Sequence, residues 1–164
     1  MRNPVLVRPA RAADVDGIAA LVNGFAAEAS MLARTPEAIA MDIESFVVAV
    51  TQHGRLTACG ALREYSPSLA EVASVAVARH AHGMGLGRAI VSAVEDLARV
   101  RGIDEVFALT LTPRFFEALG YEPVDRSLYP EKIGRDCVGC ARRLGCREIC
   151  VRRRLERASL SIAA

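Results

Sequence analysis

Apolar residues recur along this chain at two periods, and each period predicts an element. Val5-Leu6-Val7-Arg8 predicts a first strand. Ile18, Leu21, Val22 and Phe25 follow at helical spacing, which predicts a helix to about residue 28 with Asp14 as its cap. Pro36 opens a second, short helix with Ile39 and Ile43 on one side. The β-branched run from Phe46 to Val50 predicts a strand, Gln52-His53-Gly54-Arg55 a hairpin turn, and Leu56 to Glu64 the returning strand. Leu69 to Val77 predicts a central strand. Leu86, Ile90, Val94 and Leu97 then form one stripe of a helix from Gly85 to Arg101, ended by Gly102. Val106-Phe107-Ala108-Leu109 predicts a buried strand, and Pro113 to Gly120 another helix. Pro123-Val124-Asp125 starts a further strand, and Glu148 to Leu155 predicts the last one. The order β-α-α-β-β-β-α-β-α-β-β is that of an α/β fold with a mixed central sheet flanked by helices.

Composition narrows the class. At 164 residues the chain is long enough to bury a core as a single domain. Although 52% of it is hydrophobic, no apolar run approaches the roughly 20 residues that a bilayer span needs. Met1-Arg2-Asn3-Pro4-Val5 lacks the apolar core and cleavage site of a secretory signal, so a cytoplasmic location is expected. The net charge of +2 is too small to argue for nucleic acid. Arg152-Arg153-Arg154 lies in an alternating stretch and reads as a solvated strand face. Neither nucleic acid nor a membrane is an expected partner.

The segment from Val75 to Arg88 carries the most specific chemical signal. It reads as a buried strand (Val75, Ala76, Val77), a turn with alternating glycines (His82, Gly83, Met84, Gly85), and the first turn of a helix (Leu86, Gly87, Arg88). Glycines let successive backbone N–H groups curl inward, and such a nest joined to a helix N-terminus suits a phosphate or pyrophosphate. A Walker A loop would continue Gly-Lys-Ser/Thr, but Arg88 and Ala89 follow Gly87. A dinucleotide fingerprint would need a glycine at position 88 or 90, which hold Arg88 and Ile90. The alternative is an ordinary strand-to-helix turn with glycines for tight packing.

The five cysteines are unevenly placed. Cys59 stands in an apolar stretch and reads as core. Cys137, Cys140, Cys146 and Cys150 lie within fourteen residues. Cys137-x2-Cys140 has the spacing of half a zinc knuckle, while the second half is short. Structural zinc, reduced thiols and a disulfide stay open as readings.

The Gly-x-Gly helix opening resembles the pyrophosphate loop of the GCN5-related N-acetyltransferases (GNAT), with His82 where that family usually has Gln or Arg. Several further stretches resemble the short stand-alone N-acetylglutamate synthases of arginine biosynthesis. They are Ser30-Met31-Leu32-Ala33-Arg34, Ala70-Glu71-Val72-Ala73-Ser74-Val75-Ala76-Val77, Val106-Phe107-Ala108-Leu109-Thr110, Phe115-Phe116-Glu117-Ala118-Leu119-Gly120-Tyr121 and Leu128-Tyr129-Pro130-Glu131-Lys132. The resemblance covers about residues 5 to 155. It implies one N-acetyltransferase domain over residues 1–164, with a cysteine-rich loop at 136–150, that uses acetyl-CoA on a small amine. A homodimer is common in the family, and the edge of the last strands can supply one.

The resemblance also assigns roles. The loop from His82 to Arg88, the backbone of Val75 to Val77, and Phe115 and Phe116 would hold coenzyme A. Glu71, a carboxylate in an apolar strand, would be the general base, and partial burial makes a carboxylate a better base near neutral pH. Pairing with a cation at a strand edge is the alternative for it. Arg34 and, more weakly, Lys132 and Arg114 would meet the carboxylates of L-glutamate. Phe116 stands where many relatives have a tyrosine that protonates the leaving sulfur, which leaves Tyr121 and Tyr129 as candidates. Two alternatives to glutamate acetylation stay open. One is a GNAT enzyme for another amino acid, a polyamine or a protein amine; the other is a non-catalytic acyl-CoA-binding regulatory module.

Overall fold

The computed structural model describes residues 4–156. Its strands are β1 (Val5–Pro9), β2 (Phe46–Thr51), β3 (Leu56–Ser66), β4 (Leu69–Val77), β5 (Glu105–Thr110), β6 (Glu122–Pro123) and β7 (Ile149–Arg154). They are hydrogen-bonded in the order β1-β2-β3-β4-β5-β7-β6. β4 and β5 are parallel, while the β1–β2, β2–β3, β5–β7 and β6–β7 pairs are antiparallel, so the sheet is mixed as expected. The helices are α1 (Val15–Ala27), α2 (Pro36–Met41), α3 (Leu86–Val100), α4 (Pro113–Glu117) and the one-turn α5 (Pro130–Lys132). α5 runs on into a π-helical turn, Ile133–Cys137. Among the described residues, no helix is long and apolar enough to cross a membrane.

The fold gathers into two compact units. Of the described residues, one comprises those up to Arg63 together with Val72–Leu97; the other comprises Glu64–Glu71 and those from Ala98 to Glu156. The strand β4 contributes to both.

In the first unit, β2 is buried from Phe46 to Val50, which explains why that stretch is a continuous apolar run instead of an alternating one. It pairs with β1 from Val5↔Thr51 to Pro9↔Val47 and with β3 from Phe46↔Ala61, with an irregularity at Ala49/Val50. Ile18 and Val22 of α1, Ile39 of α2, and Phe46, Val48, Cys59 and Ala76 make one core, with Leu21 and Phe25 partly buried against it. The strand β3 meets α3 at Gly60. A Cβ there would lie 2.5 Å from Ile90 Cγ2 and 3.3 Å from Val94 Cγ2, so only glycine permits this approach.

In the second unit, β5 is flanked by β4 (Leu69↔Glu105 to Glu71↔Phe107) and by β7 (Glu105↔Arg154 to Thr110↔Ile149). Phe107, Tyr129 and Cys150 form its core with Tyr65, Leu69, Leu109 and Val124 against them. The Phe107 and Tyr129 rings stack with centroids 4.2 Å apart, and the Tyr129 hydroxyl donates to Glu105 Oε1 at 2.7 Å.

The structure corrects several local expectations. Asp14 does not cap α1 with its side chain. Its carboxylate instead accepts a fork from Arg8 (2.7 and 3.0 Å) and the Arg11 N–H (2.7 Å), closing a 3₁₀ turn ahead of the helix. The strand β3 continues to Ser66, two residues beyond Glu64. The strand after Tyr121 is confined to Glu122–Pro123, because Asp125 accepts from the Ser127 N–H at 2.8 Å and turns the chain. On α3, Leu97 is half-buried, while Val91 and Ala98 take the core positions beside Leu86, Ile90 and Val94.

Two predictions follow from this packing. Gly60→Ala should lower stability by about 1–3 kcal/mol through overpacking against Ile90. Gly24→Ala, on α1 with open space around the added methyl, should raise stability by about 0.5–1 kcal/mol. Urea titrations of both variants test the opposite signs. Separately, the Arg8 fork holds the Asp14 carboxyl below its ordinary range, with burial opposing it and the Arg11 N–H helping. Stability from a depressed carboxyl is fully present above its unfolded pKa of about 4 and is lost as pH falls through the folded value. Asp14→Asn should therefore cost about 1–2 kcal/mol at neutral pH. That deficit should shrink steadily when the titration is repeated at decreasing acid pH.

Candidate active site

The glycine-rich turn takes the conformation that its residues demand. Gly83 and Gly85 have φ of +75° and +78°, where glycine is favoured over any residue with a side chain. Gly87 is already within α3 and needs no such freedom. The first N–H groups of α3 have no partner within the helix, so the turn and the helix end present donors together. Leu86 is buried and anchors the end of the turn, while Met84 and Arg88 are exposed. His82, at the position of the departure from the family pattern, is a brace. Its Nε2 lies 2.8 Å from the Val77 carbonyl oxygen, and its ring stacks on Phe25 at 6.5 Å with 9° between planes. Arg79 pairs with Glu28 and lies over the same Phe25 ring at 5.5 Å. Both side chains thus tie the strand-to-helix connection back to α1.

Upstream, β4 carries a feature that sequence reasoning missed. Ser74 has φ of +52°, a rare conformation for a residue with a side chain. Its carbonyl accepts from the Cys59 thiol at 3.5 Å. Such backbone strain clusters at functional sites. Nothing in the sequence signals it, since Ser74 sits in an ordinary β-forming run. The β4–β5 ladder also stops at Glu71↔Phe107, although both strands run on. Val75, Ala76 and Val77 follow Ser74, and Ala76 is held in the core of the first unit.

In the second unit Glu71 is buried at the end of that ladder, 6% exposed. Its Oε2 accepts from Lys132 Nζ at 2.9 Å and from the Tyr65 hydroxyl at 3.0 Å. Asp136 meets the same two groups: Lys132 Nζ donates to its Oδ2 at 3.2 Å, and the Tyr65 hydroxyl bonds that oxygen as well. Lys132, expected to meet substrate, is thus an internal counter-ion for two carboxylates. Burial alone would lower its pKa, but Glu71 and Asp136 outweigh that and hold it raised. Glu148 lies within electrostatic reach; burial first, then Glu71, pushes its carboxyl up. Tyr65, Asp136 and Glu148 were not singled out from the sequence. Two signals were nonetheless present: the two-residue Pro67-Ser68 link that returns the chain from Tyr65 toward Glu71, and the i,i+4 spacing of Lys132 and Asp136.

Arg34 lies in the first unit. Asn23 pins its backbone with two hydrogen bonds of 2.9 Å, its guanidinium donates to Asp42 Oδ2 at 2.6 Å, and it lies 5.3 Å over the Phe46 ring. Phe116 is buried, edge-on to both Phe115 and Tyr121 at 5.1 Å. Tyr121 is itself buried in this aromatic group. The Tyr129 phenol is pushed up by burial and then by its bond to Glu105, so Tyr129 is not placed as a ready proton donor.

The clustered cysteines do not converge as a ligand set. Among the described residues, no three or more His, Cys, Asp or Glu side chains are arranged to hold a metal ion, which removes the basis for the zinc expectation. All five cysteines are free thiols. Arg126 donates to Cys146 Sγ at 3.5 and 3.6 Å, Cys146 donates to Glu148 Oε2 at 3.7 Å, and the Arg142 N–H reaches Cys140 Sγ at 3.4 Å. Cys150 is buried in β7 opposite Leu109.

Comparison with known proteins gives this geometry a family. The profile of the acetyltransferase (GNAT) family matches residues 21–121. An uncharacterised N-acetyltransferase of Chlorobaculum tepidum is 39% identical over 143 residues, covering 87% of this chain and 92% of that protein. An amino-acid acetyltransferase of Mycobacterium tuberculosis is 32% identical over 122 residues, covering 73% of this chain and 70% of that one. Among solved structures, the N-acetylglutamate synthase of Neisseria gonorrhoeae, complexed with coenzyme A and N-acetyl-glutamate, is similar with a TM-score of 0.84 and 28% identity. That similarity covers 96% of this chain and 36% of the synthase. With the family profile spanning more than half of its length and two such relatives above 30% identity, the chain belongs to the acetyltransferase (GNAT) family.

Proposed function

We propose that this GNAT-type N-acetyltransferase moves the acetyl group of acetyl-CoA to the α-amino group of L-glutamate, the first step of arginine biosynthesis. The observation that carries this reading is its likeness, along nearly the whole chain, to a synthase whose structure holds both coenzyme A and N-acetyl-glutamate. The relatives named amino-acid acetyltransferase support it.

In this reading residues 1–164 act as one N-acetyltransferase domain. The N–H groups from Gly83 to Arg88 hold the pyrophosphate of coenzyme A, and the backbone of Val75 to Val77 meets its pantetheine arm, with Phe115 and Phe116 bordering it. Glu71 takes a proton from the acceptor ammonium. The freed amine forms its N–C bond to the thioester carbonyl carbon, the C–S bond breaks, and the sulfur leaves as thiolate. Phe116 supplies no acid for that departure, and thiols have ordinary pKa values near 8.5, low enough for the sulfur to leave unprotonated. Positioning amine and thioester together supplies much of the remaining acceleration. Arg34 is the proposed contact for a substrate carboxylate, with Lys132 acting on the substrate only through Glu71.

Coenzyme A release from acetyl-CoA, measured with L-glutamate beside D-glutamate, aspartate, other amino acids, polyamines and peptides, tests the substrate. Saturable release with L-glutamate well above the others is expected; release with a different amine would retain acetyl transfer and remove glutamate. Glu71→Gln should reduce kcat by about 10²–10⁴-fold while coenzyme A still binds. Undiminished turnover would take Glu71 out of the chemistry. Arg34→Ala should raise KM for L-glutamate far more than KM for acetyl-CoA. An equal rise in both would count against carboxylate recognition by this residue.

A further inference from the structure

Tyr65 has one hydroxyl proton, yet its oxygen bonds two carboxylate oxygens, Glu71 Oε2 and Asp136 Oδ2. A phenol donates once and otherwise accepts. Whichever carboxylate does not receive that proton faces the phenol's lone pairs, and a hydrogen bond there requires the carboxyl to carry a proton of its own. Lys132 donates to the same two oxygens and compensates one of the two negative charges. With both carboxylates ionised these four side chains retain one negative charge, which Arg135 faces from 3.8 Å at Asp136 Oδ1. Exposure is graded along it: the Glu71 side chain is 7% exposed and that of Asp136 17%. The arrangement is a short hydrogen-bonded path from a buried carboxylate to one nearer solvent.

We propose that Tyr65 and Asp136 form a proton relay that clears Glu71 after it has taken a proton from the acceptor amine. The relay rests on the reading of Glu71 as the base. In the first step an N–H bond of the ammonium breaks and an O–H bond forms at Glu71. In the second, the Glu71 proton passes to the Tyr65 oxygen as the Tyr65 proton passes to Asp136 Oδ2. Glu71 is again a carboxylate, Tyr65 is unchanged, and Asp136, now a carboxylic acid, gives its proton to water or a buffer base. Tyr65 and Asp136 act through Glu71 and are positioning and relay residues.

The charged groups around the path agree with this direction of transfer. Lys132 faces both carboxylates. Arg135 lies over the Tyr65 ring at 4.0 Å, with its Nε 3.8 Å from Asp136 Oδ1. On the β7 side, Glu148 and Cys150 are within electrostatic reach of Glu71, and Cys137 is within reach of Lys132. Lys132 is shared between the two carboxylates, while Arg135 stands at the Asp136 end and favours its return to carboxylate.

The test measures turnover of Tyr65→Phe and Asp136→Asn with acetyl-CoA and the panel amine that releases coenzyme A fastest, L-glutamate on the present reading. Imidazole concentration is varied at constant pH and ionic strength. Each variant should lose at least about tenfold in kcat and regain rate as imidazole rises, because imidazole takes the proton from Glu71 directly. The parent enzyme should be insensitive to imidazole. Parental kcat in both variants, or a loss that imidazole does not restore in variants that still bind acetyl-CoA, would overturn the relay. If Tyr65→Phe does not fold, Asp136→Asn and a proton inventory of the parent in H2O/D2O mixtures decide: a bowed plot supports the relay and a straight one overturns it. Glu71→Gln separates the two readings. Parental turnover in it removes the base and the relay together, whereas lost turnover beside unaffected Tyr65→Phe and Asp136→Asn removes the relay alone.

Discussion

A carboxylate on a buried strand must be compensated where it stands, and Glu71 is compensated by a lysine 61 residues further along the chain. An unpaired buried charge is costly, and removing one partner of a buried ion pair typically costs about 3–5 kcal/mol. The path of the chain after β6 reflects that demand. Asp125 turns it, Tyr129 stacks on Phe107 and bonds Glu105, and Pro130 starts the single turn that delivers Lys132. The π-helical turn that follows brings Asp136 to the same ammonium, four residues on. A segment without a long helix or strand of its own is thus fixed by one charge in its neighbour.

Much of the fold was legible because its signals are local. Alternation, helical stripes, Gly102, Gly54 and the proline starts fix the element order, and the apolar run of β2 announces a buried strand. The glycine turn was legible for the same reason, since positive φ at Gly83 and Gly85 is a property of the residues themselves. The partners were not legible. Asp14 has the composition of a helix cap, but Arg8 offers a guanidinium fork that outcompetes the helix N–H groups. Lys132 reads as a substrate contact until the fold sets it against Glu71. Four cysteines in fourteen residues suggest a metal, but ligation depends on where the sulfurs point, and Arg126, Arg142 and Glu148 take up the contacts that Cys140 and Cys146 make.

His82 shows how a departure from a family pattern acquires a physical role. Its imidazole joins the Val77 carbonyl to the Phe25 ring of α1, so it holds the shape of the turn from behind. A turn that presents backbone N–H groups can exchange the side chain at this position without losing its donors. What the position must supply is rigidity, since freezing a glycine-rich loop costs more conformational entropy than freezing other sequences.

The state of the thiols bears on the redox behaviour of a protein whose proposed product is itself a thiol. Burial pushes Cys59 up to about 12 and Cys150 up to about 11, and it raises Cys137 as well. The thiolate is the species that attacks disulfides, so Cys59 and Cys150 are largely protected at neutral pH. A coenzyme A disulfide formed under oxidising conditions would therefore exchange slowly with the sulfurs most deeply embedded in the fold. The two cores that Cys59 and Cys150 help to build would then keep their packing.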